Sequence, residues 1–114
     1  MSTLHLPERR ATDGFAAFQA RPVIVAVAGR RHVLSPTDTQ FVLRELARLP
    51  ETRWPAAVSA TEIVSVGLSH GWPVAFDADE ERALLRAVEG VRTRRKLSAA
   101  LRSLRDALVH VTVG

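Results

Sequence analysis

The sequence predicts a mainly α fold with a small β-hairpin, an α+β arrangement of about four helices. Three observations carry that expectation. Val23-Ile24-Val25-Ala26-Val27 is a run rich in β-branched residues, followed by a glycine and a short apolar return. Capped helix starts with acids in the first turn recur at Ser35 and Asp77. Beyond residue 35, leucines and valines fall three and four residues apart, the spacing that lines one face of a helix.

The composition is that of a soluble globular protein. The chain has 114 residues, 46% hydrophobic and 25% charged, enough to close a core without covalent staples. Residues 1–21 read as a flexible N-terminal segment, in which Phe15 and Phe18 could share one face of a short helix. Residues 22–114 read as a single small globular domain. With no cysteine, disulfides, thiolate zinc sites and cysteine nucleophiles are excluded, and a reducing cytoplasmic location fits. The longest apolar run, 22–29, is too short to span a bilayer, so no membrane partner is expected. The first ten residues lack the basic-then-apolar order of a secretory signal.

The elements follow in order. Val23–Val27 is the first strand, Gly29-Arg30 the turn and Arg31–Leu34 the return strand. Ser35-Pro36-Thr37-Asp38 joins a capping serine, a proline at the first helical position and a first-turn acid. That helix runs to about Leu49, with Val42, Leu43, Leu46 and Leu49 inward, and Pro50 ends it. Trp54-Pro55 and Trp72-Pro73 then open two similar lead-ins, each expected to plug the core. Ser59/Glu62 reads as a capping box for a helix over about 60–69, and Asp77/Glu80 as another for the next helix.

The remainder is two helices rather than one. At about 100° per residue, Leu84, Leu85, Val88 and Val91 share a face. Leu97, Leu101, Leu104 and Leu108 would point roughly 220° away from Leu84 in a continuous helix. A break between Gly90 and Lys96 gives helices over about 78–92 and 95–109. Val109–Val113 then has strand character and is expected to pair with the hairpin.

Charge supplies the main functional clue. Residues 82–105 hold eight basic residues against one acid, Glu89, whereas the rest of the chain holds eight basic and eleven acidic residues. Fifteen of the sixteen basic residues are arginine, a skew that GC-rich codons alone can produce, so clustering counts for more than the total. On the last helix, Arg95, Ser98, Arg102 and Arg105 lie opposite the leucines. Arg92-Thr93-Arg94-Arg95-Lys96 either closes the third helix, complementing its dipole, or opens the fourth. Guanidinium forks match phosphate oxygens and guanine edges, and serine can add a phosphate contact. A solvated arginine-rich face is the plainer reading of the same stripe. Asp106 shares the stripe and is expected to pair with Arg102.

Other chemistry is thinly represented. Asp77, Asp79, Glu80 and Glu81 are explained by capping and the helix dipole, and they lack the glycine pattern of a calcium loop. His5, His32, His70 and His110 show no metal-ligand spacing. No glycine-rich phosphate loop or serine elbow is present. No catalytic residue, metal ligand or cofactor is therefore assigned. A small enzyme would need a pocket bringing a histidine to an acid, such as His70 to Asp77 or Asp79.

Two stretches resemble winged helix-turn-helix DNA-binding domains. Residues 25–49, VAVAGRRHVLSPTDTQFVLRELARL, are similar to the strand–turn–strand–helix opening of the response-regulator type. Residues 95–113, RKLSAALRSLRDALVHVTV, are similar to a recognition helix entering a wing strand. The resemblance implies a winged-helix-like fold in which Arg95, Ser98, Arg102 and Arg105 face DNA. It departs from the family in the extra helix over 78–92 and the missing return strand of the wing. The functional expectation is a small non-enzymatic, DNA-binding regulator. Its site would comprise Arg92, Arg94, Arg95, Lys96, Ser98, Arg102 and Arg105. The alternative is a protein-interaction or adaptor protein with an Arg-rich solvated face, whose partner surface would be the leucine stripe or the Trp54/Trp72 region. A protein partner or a homodimer is compatible with either.

Overall fold

The computed structural model describes residues 21–113. The expected helix face at Phe15 and Phe18, and all but the last residue of the expected flexible segment, lie outside the described residues. Within them the order is β1 (Val23–Val27), β2 (Arg30–Leu34), α1 (Pro36–Arg48), α2 (Ala56–His70), α3 (Ala78–Arg94) and α4 (Ala99–Val113). The expected mainly α fold with a small hairpin is the one observed.

β1 and β2 pair antiparallel, with Val23 opposite Leu34 and Val27 opposite Arg30. The turn is Ala28-Gly29, one residue earlier than expected. Both residues have positive φ, 53° and 75°, the geometry that joins two twisted strands with a two-residue loop. Val23, Val25, Val27, His32 and Leu34 form the buried face of the hairpin.

Ser35 caps α1 as expected, its Oγ accepting from the Asp38 N–H at 3.1 Å. Val42 and Leu46 are buried, with Leu43 and Leu49 half-buried beside them. α3 begins with the expected capping box: the Glu80 N–H donates to Asp77 and the Asp77 N–H to Glu80, at 2.7 and 2.8 Å. α3 lies against α1, α2 and α4 and forms the centre of the molecule. Its residues Ala83, Leu84, Ala87, Val88 and Val91 are all 2% exposed or less, and the two alanines let neighbouring helices approach closely.

Four expectations are corrected. α2 starts at Ala56, not near Ala60, so Ser59 lies inside the helix, where its hydroxyl donates to the Ala56 carbonyl instead of capping. The chain is already turning there: the Trp54 N–H donates to the Pro50 carbonyl and the Ala57 N–H to the Trp54 carbonyl. The second lead-in stays extended because Val74 bonds to β1 in both directions, donating to the Ile24 carbonyl at 2.9 Å and accepting from the Ala26 N–H at 2.8 Å. Trp72 does not plug the core; it is 61% exposed and stacks on His70 with ring centroids 4.4 Å apart.

The last two corrections concern the C-terminal third. α3 continues to Arg94 and α4 begins only at Ala99, four residues later than expected. Val109–Val113 is helical and adds no strand to the hairpin. Leu101, Leu104 and Leu108 are each 1% exposed or less, and Val111 continues their stripe onto the core. Burial along that stripe outweighs the β preference of the branched residues.

Candidate nucleic-acid interface

The joint between α3 and α4 gathers the cations. The last turn of α3 follows Val91, whose carbonyl accepts from the Arg95 N–H at 3.0 Å. Arg95 is extended (φ −163°, ψ 165°), so the chain leaves the helix there. Leu97 turns inward and is 7% exposed. Ser98 then starts α4, its Oγ accepting from the Leu101 N–H at 3.1 Å. Between the two helices lies a cleft of about 580 Å³, lined by Arg92, Thr93, Arg94, Arg95, Lys96, Leu97, Arg102, Arg105 and Asp106. Six of the seven expected site residues line it.

Ser98 is the exception. Its hydroxyl donates to Asp38 Oδ2 at 2.7 Å while it caps α4. A hydroxyl has one proton to give, so contacting a phosphate would break the bond to Asp38. Ser98 ties the first turn of α1 to the first turn of α4.

The six cations fall into two groups. Arg94 donates through Nε to Glu45 Oε2 at 2.8 Å, across 49 residues of sequence. Arg105 bonds to Glu89 through Nε and stands 3.7 Å from Asp106. The Glu89 bond and charge raise Arg105 further above its already high value, so its cationic form is held. Arg92 reaches the same Glu89 at 3.6 Å. These three are anchored to acids.

Arg95, Lys96 and Arg102 form no ion pair among the described residues, and all three are exposed. The expected Asp106–Arg102 pair does not form; Asp106 turns to Arg105. Arg95 is positioned by an aromatic ring instead of an acid: its Cζ lies 3.7 Å from the Phe41 ring centroid.

The exposed side of α4 itself is not basic. It shows Ala99, Arg102, Ser103, Asp106 and His110 to solvent. The positive charge sits in the joint and the end of α3, where Arg92, Thr93, Arg94, Arg95 and Lys96 are consecutive and all exposed. Of the remaining arginines in the segment, Arg82 pairs with Asp79 at the other end of α3.

Sequence reasoning missed the two residues that position Arg94 and Arg95, Glu45 and Phe41. Glu45 is 8% exposed although it is charged. A Cβ on Gly90 would come within 2.5 Å of its Oε1, so α3 is bare of side chain where Glu45 crosses it. An acid on the inward side of α1 and an isolated glycine inside α3 are the signals that could have pointed to this crossing.

Comparison of the chain with protein-family models, with curated proteins and with solved structures returned no match.

Proposed function

We propose that the protein is a non-enzymatic nucleic-acid-binding protein, and that it grips phosphate with the cleft at the α3–α4 joint. The observation that carries this reading is the trio Arg95, Lys96 and Arg102, exposed and without acidic partners among the described residues, on one cleft with three further cations anchored around it. Anchored arginines keep their forks in place and lose less side-chain freedom on meeting an anion. Phosphate contacts of this kind supply sequence-independent affinity and set the register of the protein on its ligand. DNA is the ligand the winged-helix resemblance implies. In this reading the contact falls to the joint and the start of α4, not to α4 laid lengthwise, because the exposed side of that helix offers a single arginine beside an acid.

The adaptor reading rests on different residues. Val33, Val58, Val66 and Trp72 are large apolar side chains exposed on β2, α2 and the loop after it. Lone exposed apolar residues are ordinary on protein surfaces, so the cationic cleft is preferred.

The test is oligonucleotide binding at low salt by wild type and by Lys96→Glu and Arg102→Glu. Both positions are exposed, so folding should be unaffected. Each reversal is expected to weaken binding about tenfold or more. Absence of binding by the wild type, or wild-type affinity in both variants, contradicts the proposal.

A further inference from the structure

We infer that the cleft takes an unpaired nucleobase, stacked on the Arg95 guanidinium, and that the protein therefore prefers single-stranded nucleic acid to duplex. The inference rests on the phosphate-binding reading of the same cleft and adds the form of the ligand.

The geometry at Arg95 differs from that of every other cation in the site. Arg94 and Arg105 are tied through Nε to Glu45 and Glu89. Arg95 has no acidic partner among the described residues, and its guanidinium carbon lies over the Phe41 ring, 3.7 Å from its centre. The residue nonetheless is exposed and lines the cleft. The cation is thus backed by an aromatic ring on a residue that stays exposed at the cleft. Its backbone is held as well, by the hydrogen bond from its N–H to Val91. Phe41 is half-buried on α1, so the support is part of the packed structure and not a loose surface ring.

A guanidinium backed by an aromatic ring is a platform for a base. Proteins that read unpaired strands stack bases on aromatic rings or arginine planes while cations track the backbone. Both parts are present here: a plane at Arg95 and point charges at Lys96 and Arg102. The cleft, at about 580 Å³, is an open groove large enough to seat a base. A base inside a duplex is stacked on its neighbours and offers no free face, so duplex could use the charges but not the platform.

The experiment uses the full chain and three probes of equal length: a single-stranded oligonucleotide, its duplex, and a single strand carrying abasic sites in place of its bases. The wild type is expected to bind the unpaired strand about tenfold tighter than either of the others. Arg95→Lys keeps the charge and removes the plane, and Phe41→Leu removes the support. Each is expected to bring the ratio of single-strand to duplex affinity from about ten down to about one. Circular dichroism checks that Phe41→Leu is folded, and Arg95→Lys, at an exposed position, does not depend on that check. Equal binding of single strand, duplex and abasic strand overturns the inference while leaving phosphate binding at the cleft intact. So does a preference for single strand that survives Arg95→Lys. Failure of all three probes to bind overturns the phosphate-binding reading itself.

Discussion

Ser98 shows how a residue chosen for one role can be taken up by another. It lies beside the cleft, yet its hydroxyl donates to Asp38 and accepts from the start of α4. Ser98→Ala removes the cap, worth about 1 kcal/mol, and leaves a buried carboxylate short of a partner. A loss of about 2 kcal/mol in chemical denaturation is expected, with oligonucleotide affinity unchanged. A drop in affinity with stability intact would return Ser98 to the binding surface. His32 is a second buried polar residue, 6% exposed on β2, opposite Val25. Its Nδ1 lies 3.3 Å from Ser103 Oγ on α4, and its Nε2 is buried without a hydrogen-bond partner among the described residues. Burial, and then the charge of Arg30, lower its pKa below the ordinary 6.5. The unfolded chain therefore binds a proton that the folded chain refuses, so stability is full above about 6.5 and falls as pH drops below it. Melting temperature measured from pH 7.5 to 5 should fall, and His32→Leu should flatten that fall. An unchanged slope in the variant would place the titrating group elsewhere.

At the scale of elements, α2 and the segment after it fit closely at Gly67. A Cβ there would meet Val74 Cγ1 at 2.8 Å, and Val74 is fixed by two backbone bonds to β1. Alanine is the better helix former by about 1 kcal/mol, but overpacking costs about 1–3 kcal/mol. Gly67→Ala is expected to lower stability by up to about 2 kcal/mol in urea; a gain would mean that the 72–76 segment yields readily. The same segment explains what could be read in advance. The caps at Ser35 and Asp77 were legible because cap and partner lie three residues apart. The two Trp-Pro lead-ins look alike in sequence but differ in fate, since one turns onto Pro50 and the other is captured by β1, a contact across 48 residues. Val109–Val113 reads as a strand from its side chains, and only the core beneath Leu104, Leu108 and Val111 keeps it helical. In the site, the clustering of cations was visible. Their sorting into anchored and free was not, because Glu45 and Phe41 reach Arg94 and Arg95 from α1, 49 and 54 residues away.

On the scale of the whole molecule, the central helix α3 sets the placement of charge. Its acidic start at Asp77, Asp79, Glu80 and Glu81 and its basic end at Arg92 and Arg94 both complement its dipole. The two ends of α3 therefore differ in sign, which favours an anionic partner at the α3–α4 joint over the start of α3. None of the described helices is long and apolar enough to cross a membrane. The measurement that bears most directly on the proposed cleft is the salt dependence of its affinity for a single-stranded oligonucleotide. Three free cations, each displacing a counterion from a phosphate, give a slope of log affinity against log salt of about −2. The Lys96→Glu/Arg102→Glu double variant should bind more weakly and bring that slope to about −1 or shallower. Binding that is absent at the lowest salt, or a slope that is the same in wild type and variant, would contradict a phosphate grip at this joint.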